Sequence, residues 1–334
     1  MTPPAGLIDL AAQRVGGRVL LANDQFFAPA SNLLKPDRPV FMAGKYTDRG
    51  KWMDGWETRR RRAPGNDWCI VRLGIPGVIR AVTVDTTHFR GNAPEACSLD
   101  GAALASTLTA AALKRLEHSW IELLPRSAVR SDAENLLPVP AGGSPRCTHV
   151  RLRIYPDGGV ARLRVWGEAR PEWRALRGKR IDLAAIEHGG LPLASSDEFF
   201  SHPLHLLLPG RPRGMAEGWE TRRRRGPPGH DWVIVRLGHR GAIEAVEIDT
   251  THFKGNAPES ASLEAADAPG AADPARLGAL RWEPLVPRTT LRGHARHRIA
   301  LPGGRGGTPA THVRLNIFPD GGVARLRVWG RLVP

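Results

Sequence analysis

The sequence repeats itself once, and this duplication is the strongest constraint on how the chain can fold. The stretch GWETRRRR stands at 55–62 and returns unchanged at 218–225. Near the end of each copy, PDGGVARLRVWG stands at 156–167 and returns at 319–330. Because the matched motifs keep the same order, the sequence predicts two copies of one folding unit in tandem.

We place the two units at residues 1–170 and 171–334, with the boundary in a polar joint that contains Pro171. Each unit is longer than 150 residues. A unit of that size can bury a hydrophobic core of its own, so the repeats are predicted to be domains rather than turns of a solenoid.

The periodicity inside a unit is that of β-strands. In the stretch 150–154, VRLRI, apolar side chains alternate with arginines, and 163–165, LRV, continues the alternation after the turn at 156–159. Two runs of period 2 around such a turn predict a β-hairpin. The stretches DWCIVRLG (67–74) and IRAVTVDTTHF (79–89) are predicted to be two further strands, rich in β-branched residues.

Helical pattern is confined to two short stretches, 7–12 and the region 101–118. Many short strands separated by turn residues indicate an all-β fold. We therefore expect two tandem jelly-roll β-sandwich domains.

The net charge of +15 raises the question of nucleic-acid binding. Only six of the 48 basic residues are lysine, and the arginines are spread along the whole chain rather than gathered in one arm. We therefore expect no nucleic-acid partner. A small anionic substrate accounts for some arginines, since the guanidinium fork matches a carboxylate.

The chain shows no sign of a membrane or a secreted location. It has no apolar run of the length that spans a bilayer, and its first residues lack the features of a secretory signal. The three cysteines, Cys69, Cys97 and Cys147, all lie in the first unit and cannot all pair. The sequence thus favours a cytoplasmic protein without a disulfide framework and without a membrane partner.

Glu57 and its copy Glu220 are the first candidate site residues. Each stands between a tryptophan and four arginines, a positive field that is expected to favour the charged carboxylate. A salt-bridged structural anchor and a direct catalytic role are both consistent with this position.

The arginine runs admit two interpretations. On an extended segment alternate residues face opposite sides, so two of each four arginines are expected to enter a pocket while the others meet solvent or carboxylates. One interpretation is a structural network of ion pairs, and the other is a clamp for a substrate carboxylate. The candidate substrate-binding residues are Arg59, Arg60, Arg61, Arg62, Arg222, Arg223, Arg224 and Arg225.

The motif DTTHF supplies the remaining catalytic candidates, at the point where a strand is predicted to become a loop. They are Asp85 and His88, with the copies Asp249 and His252. A histidine at a loop rim can transfer protons with the help of an aspartate, or can simply stabilise the turn by hydrogen bonds. A divalent metal ion is an open alternative, although the spacing matches no established zinc motif.

Two more duplicated pairs complete the set. Asn92 and Asn256 lie in the turn GNAPE, where an amide can contact a urea-like group or only shape the turn. His149 and His312 precede the predicted hairpin, where they either join a cluster or pack.

The chain resembles the allantoicase family over nearly its whole length. The motifs that carry the resemblance are DGWETRRRR, DWCIVRLG, VDTTHFRGNAPE, LRVWG and the paired LLPR (123–126) and LVPR (285–288). The resemblance implies two repeats related to galactose-binding-type domains, and hydrolysis of allantoate to ureidoglycolate and urea. Family members often have the motif GHDW. At the histidine position of this motif, this chain has Asn66 in the first copy and His230 in the second.

The implied substrate, allantoate, carries one carboxylate and two ureido groups, which suits a site of arginines, carboxylates and amides. No cofactor is certain, and we expect a homo-oligomer. A non-catalytic ligand-binding protein is the alternative function, since jelly-roll domains often only bind.

Overall fold

The computed structural model describes residues 4–333 except 5, 106–107, 117–118, 141–143, 227, 272, 274–276 and 302–306. Contacts between residues divide the chain into two units, Met1–Arg170 and Pro171–Pro334. The predicted helical region 101–118 falls partly outside the described residues.

The regular secondary structure of the first unit is almost all β-strand. They are β1 (Ile8–Asp9), β2 (Arg18–Ala22), β3 (Tyr46–Thr47), β4 (Gly50–Lys51), β5 (Trp56–Glu57), β6 (Asp67–Asp85), β7 (Ala96–Ala102), β8 (Ile121–Ala128), β9 (Glu134–Pro138), β10 (Cys147–Tyr155), β11 (Gly159–Val160) and β12 (Arg162–Ala169). One short helix, α1 (Ala110–Arg115), and the 3-10 turns Gln13–Val15 and Ala30–Leu34 connect them.

The second unit has the same plan. Its strands are β13 (Ile181–Asp182), β14 (Leu191–Ser195), β15 (Trp219–Glu220), β16 (Asp231–Asp249), β17 (Ser260–Ala266), β18 (Glu283–Thr290), β19 (Arg296–Ala300), β20 (Thr308–Phe318), β21 (Gly322–Val323) and β22 (Arg325–Leu332). The helix α2 (Trp173–Leu176) precedes them, and 3-10 turns lie at Ile186–His188, Pro203–Leu207 and Met215–Glu217.

One long strand organises each unit. In the first, the order is β1-β12-β6-β10-β7-β8, with β2 and β9 also paired to β6. The early part of β6 pairs with β10 and β2, whereas its later part pairs with β12 and β9. The second unit repeats this order as β13-β22-β16-β20-β17-β18, with β14 and β19 on β16. The prediction of an all-β chain of two jelly-roll β-sandwiches is confirmed.

The core follows the alternation seen in the sequence. Val150, Leu152 and Ile154 are completely buried, and each has a counterpart in the second unit. In contrast, the arginines between them lie on the other face of the sheet, because successive side chains of a strand point to opposite sides.

The first and last strands of each unit are neighbours. β1 pairs antiparallel with β12, with Ile8 opposite Gly167. In the second unit β13 pairs with β22, with Ile181 opposite Gly330. Each unit thus begins and ends at adjacent places in its own sheet.

Three local predictions were wrong. β10 and β12 do not form a hairpin, because both pair with β6 and the turn between them crosses from one part of the sheet to the other. The strands predicted at 67–74 and 79–89 are one strand, β6, bent by a register shift near Gly77. Residues 7–12 form β1 and a turn rather than a helix, since Leu10 accepts backbone hydrogen bonds from Gly74 and Ile75.

No helix among the described residues has the length and apolar character needed to cross a membrane.

Candidate active site

Glu57 is held at one end of the first sandwich by a buried neighbour. The side chain of Trp56 is completely buried, and its indole N–H donates to the backbone oxygen of Asp24 at 2.8 Å. The two-residue strand β5 pairs with β11, with Glu57 opposite Gly159. Because side chains alternate along a strand, the buried tryptophan places the carboxyl group of Glu57 toward the other side, where it is half-buried.

The DTTHF motif packs against this segment through Phe89. Its ring is buried between Gly55 and Gly159, so closely that a Cβ on Gly159 would lie 1.9 Å from Phe89 Cδ1. Phe253 occupies the same position against Gly218 and Gly322 in the second unit. Both copied motifs therefore lie at the same end of their sandwich.

Glu57 and Asn92 form the closest polar contact between the motifs. Asn92 Nδ2 donates to Glu57 Oε1 at 2.7 Å, while the Asn92 backbone oxygen accepts from Gly159 N–H at 2.7 Å. Asn256 and Glu220 form the same side-chain bond, also at 2.7 Å. The structure thus brings together two of the predicted site residues in each unit.

The electrostatic expectation for Glu57 was wrong. Burial raises the pKa of this carboxyl above its usual value, and the hydrogen bond from Asn92 only partly offsets the effect. No arginine lowers the pKa of Glu57. In the run that follows, Arg59 and Arg61 pair with Asp24 and Asp67 instead.

The arginine run alternates between paired and exposed side chains. Arg59 Nε donates to Asp24 Oδ2 at 2.7 Å, and Arg61 donates from a terminal nitrogen to Asp67 Oδ1 at 2.8 Å. In the described part of the chain, Arg60 and Arg62 are exposed and form no ion pair. Half of the run is therefore a structural network, and half is available to a ligand.

The second unit keeps this division. Arg222 pairs with Asp197 at 2.9 Å and Arg224 with Asp231 at 2.8 Å. The two remaining members, Arg223 and Arg225, are exposed.

Asp24 was missing from the predicted site, although it recurs in the sequence as Asp197. Burial alone would raise its pKa, but hydrogen bonds from Phe26 and Arg59 hold the pKa below its usual value. The charged Asp24 therefore fixes the direction of the arginine run. The sequence signal that could have identified Asp24 is its recurrence as Asp197 beside the duplicated Phe-Phe pair.

Asp85 serves the turn rather than an open site. It is completely buried, and its Oδ1 accepts from Thr87 N–H at 2.9 Å. Its Oδ2 is buried without a hydrogen-bond partner among the described residues. Asp249 accepts from Thr251 N–H in the same way, at 2.8 Å.

His88 lies at the rim, with Asp132 beside its backbone rather than Asp85 beside its ring. Its φ of 71° is in the left-handed region, and its N–H donates to Asp132 Oδ1 at 2.8 Å. The ring donates from Nε2 to the Pro39 oxygen, 3.3 Å away. His252 repeats the conformation, with its N–H bonded to His294 Nδ1 at 2.9 Å.

His149 lies away from these residues, in strand β10. It is buried, and its Nδ1 is bonded to Thr148 Oγ1 at 2.8 Å. Burial, together with the nearby charge of Arg72, lowers its pKa to about 4. His312 is buried in β20 with the same threonine contact, so both histidines pack within the sheet.

Within the described ranges, no three His, Cys, Asp or Glu side chains converge as ligands for one metal ion. Among the candidate site residues, the structure joins the carboxyl–amide pair of each unit, a carboxyl group held by a hydrogen-bond donor.

Comparisons with known proteins agree with the duplicated fold. The family described as Allantoicase repeat matches residues 8–170 and 181–333. The chain is 46% identical to a probable allantoicase of Burkholderia mallei over 97% of this chain and 94% of that protein. It is 44% identical to an allantoicase of Dictyostelium discoideum over 96% of this chain and 86% of that protein.

A solved structure shows the same architecture over the same length. The crystal structure of allantoicase from Saccharomyces cerevisiae superposes with a TM-score of 0.82 at 32% identity, covering 98% of this chain and 93% of that one.

Proposed function

The chain belongs to the allantoicase family, and from this premise we infer that it hydrolyses allantoate to ureidoglycolate and urea, a step of purine catabolism. It is thus a hydrolase of a carbon–nitrogen bond that is not a peptide bond. The structural observation that carries the assignment of a site is the Glu–Asn pair, which recurs with the same bond length in both units.

The reaction needs one proton to move. Water forms a bond to the central carbon of allantoate, the bond from that carbon to one ureido nitrogen breaks, and a proton of the water ends on that nitrogen as urea leaves. A positioned carboxyl group near its pKa can accept and return this proton, which typically accelerates a reaction about 10²–10⁴-fold.

We assign this proton transfer to Glu57 and Glu220. Half-burial raises the pKa of Glu57 and so brings its protonated and charged forms closer in population at working pH. Asn92, which is exposed, holds the carboxyl by its Nδ2 and presents its amide oxygen to a ureido N–H group. We assign the carboxylate of allantoate to the exposed arginines of each run, since a guanidinium binds a carboxylate through two hydrogen bonds.

The test is urea release by the double variant Glu57→Gln/Glu220→Gln. Glutamine keeps the shape and the bond to asparagine but cannot transfer a proton, so we expect kcat to fall by about 10²-fold or more. The matched control is Glu95→Gln/Glu259→Gln, which removes two exposed carboxylates of the same turns.

Both variants are assayed with and without added divalent metal, which also tests whether the reaction needs a metal ion. Unchanged turnover in the glutamine variant would remove Glu57 and Glu220 from the reaction. Absence of urea with the unaltered protein would remove the function and leave the alternative of a binding protein.

We further propose that the chain assembles as a homo-oligomer. The support is a set of exposed apolar side chains on the first unit, of the kind that marks an interface: Phe26, Phe27, Phe41, Met42 and Tyr46. Light scattering on the purified protein decides this, and the mass of a single chain at micromolar concentration would contradict it.

We propose a cytoplasmic location from the state of the cysteines. Cys69, Cys97 and Cys147 are unpaired and buried, and burial raises the pKa of each thiol. Such thiols persist without oxidation in a reducing compartment. Cell fractionation tests the proposal.

A further inference from the structure

The second unit carries a groove whose lining includes neither Glu220 nor Asn256. The groove has a volume of about 670 Å³, and residues of β17, β18 and β20 line it together with the segment 229–232 and Arg224. This volume is within the range of sites for small molecules. Its polar and aromatic lining includes His230, Glu264, Arg288, Arg314, Asn316 and Phe318.

Arg288 is fixed in place and keeps its terminal nitrogens free. Its guanidinium lies over the ring of Phe318, 4.2 Å from the centroid, and its Nε donates to Ser260 Oγ at 2.7 Å. None of the acidic side chains that the structure describes pairs with it. A guanidinium held flat with its two terminal nitrogens open is arranged to bind a carboxylate.

Glu264 supplies the complementary acceptor. Its Oε2 accepts from Arg314 Nε at 2.6 Å and from Asn316 Nδ2 at 2.8 Å. The bond from Arg314 is the main cause that lowers the pKa of Glu264, so the group is charged at neutral pH. Both bonds use the same oxygen, and Oε1 is left to accept an N–H group of a ligand.

His230 completes the groove from the loop before β16. Its ring centroid lies 4.8 Å from that of Phe318. Phe318 thus carries the guanidinium of Arg288 and also contacts an imidazole.

The first unit keeps the stacked arginine and the arginine–carboxylate pair, Arg151 with Asp100, but differs at two other positions. Arg126 lies over Tyr155 at 4.5 Å, as Arg288 lies over Phe318. The position of Asn316 is taken by Arg153, however, and Arg151 and Arg153 both donate to Asp100 Oδ2, at 2.8 and 3.0 Å. Asn66 stands where the second unit has His230. The larger second arginine therefore occupies the face that is open in the second unit.

We propose that this groove binds a small carboxylate that also carries ureido N–H groups, with the carboxylate on Arg288 and an N–H on Glu264 Oε1. The groove offers both a guanidinium with open nitrogens and a charged acceptor. A ureido carboxylate can use both groups, whereas a simple anion would use only the guanidinium. Only the choice of the ureido class rests on the proposed function. Substrate and product of that reaction both belong to this class.

The experiment is a calorimetric titration with ureidoacetate. This probe carries one carboxylate and one ureido group, whereas allantoate carries two ureido groups on its central carbon. We expect saturable binding that Arg288→Ala weakens about tenfold or more, because a charge-assisted pair is lost. The matched variant Arg126→Ala, which removes the stacked arginine of the first unit, is expected to bind as the unaltered protein does.

A second variant tests the groove from the opposite direction. Asn316→Arg copies the first unit into the second and is expected to abolish the Arg288-dependent binding by placing a second arginine on Glu264. Because the position corresponds to Arg153, which the fold accommodates in the first unit, a folded protein is expected, and its thermal midpoint verifies this.

The outcomes separate the groove from the proposed function. Equal weakening by Arg126→Ala and Arg288→Ala, or binding that Arg288→Ala leaves unchanged in a protein that releases urea from allantoate, overturns the groove alone. Arg288-dependent binding by a protein that releases no urea supports the groove while the proposed function fails.

Discussion

At the scale of single residues, Glu57 is subject to two opposing influences. Burial favours its neutral form, and the hydrogen bond from Asn92 favours its charged form, with burial the larger effect. A carboxyl held in this way costs the fold some stability whenever it is ionised.

This balance predicts how stability varies with pH. The pKa of Glu57 is raised in the folded state, so its favourable contribution is present below the unfolded pKa and is lost as pH rises through the folded pKa. Glu57→Gln has no carboxyl group to ionise and so avoids this loss of stability. We therefore expect the variant to have a higher thermal midpoint than the unaltered protein at pH 7. The difference is expected to vanish toward pH 4. Calorimetric scans across this range measure it, and a lower midpoint at pH 7 would contradict the burial argument.

The arginine run makes a second prediction at this scale. Replacing the exposed members by alanine, Arg60, Arg62, Arg223 and Arg225, is expected to raise KM for allantoate by about 10–100-fold with little change in thermal midpoint. Replacing Arg59 and Arg222 instead removes ion pairs with Asp24 and Asp197, which is expected to affect stability first. A normal KM in the first variant would return the whole run to a structural role.

At the scale of strands and turns, the sequence determined which face a residue occupies but not which strand it pairs with. The alternation in β10 correctly placed Val150, Leu152 and Ile154 in the core. The same alternation continues into β12, which suggested a hairpin, yet both strands pair with β6. Periodicity reports burial, whereas pairing depends on residues far away in the chain.

The site shows the same limit. The copied motifs pointed to Glu57 and Asn92 as candidates, and the fold joins their side chains at 2.7 Å. The partners of the arginines were not predictable, since Asp24 precedes Arg59 by 35 residues and nothing local relates them. The raised pKa of Glu57 was equally unpredictable, because it comes from burial in the folded chain.

The contact of Phe89 with Gly159 supplies a prediction about these elements. A methyl group at Gly159 would overlap a buried ring, so Gly159→Ala is expected to cost about 1–3 kcal/mol or more and to separate Glu57 from Asn92. Gly91→Ala is the matched control, because nothing lies within 4 Å of its added Cβ. Chemical denaturation and urea release measure both effects. Equal stability of the two variants would show that the ring is free to move.

At the scale of the whole molecule, the two units agree at the Glu–Asn pair and differ around it. Asp132 bonds the backbone of His88, whereas His294 bonds that of His252. The groove is open in the second unit and occupied by arginine in the first. The duplication has therefore kept one arrangement and altered another.

The retained pairs predict two independent reaction sites. Glu57→Gln and Glu220→Gln, made singly, are each expected to leave about half of the turnover, while the double variant falls about 10²-fold. Steady-state rates of urea release at saturating allantoate distinguish the variants. A severe loss from one single variant and none from the other would show that one unit alone is catalytic.

The pairing of β1 with β12 has a consequence for the origin of the chain. Since a unit starts and finishes side by side, a gene segment encoding it can be copied head to tail, and residues 171–180 suffice to lead from one copy into the next. All the strands of each sheet come from one unit, so each unit has the strand pairing of a self-sufficient domain of half the chain's length. A substitution inside one sheet therefore leaves the strand pairing of the other unit intact.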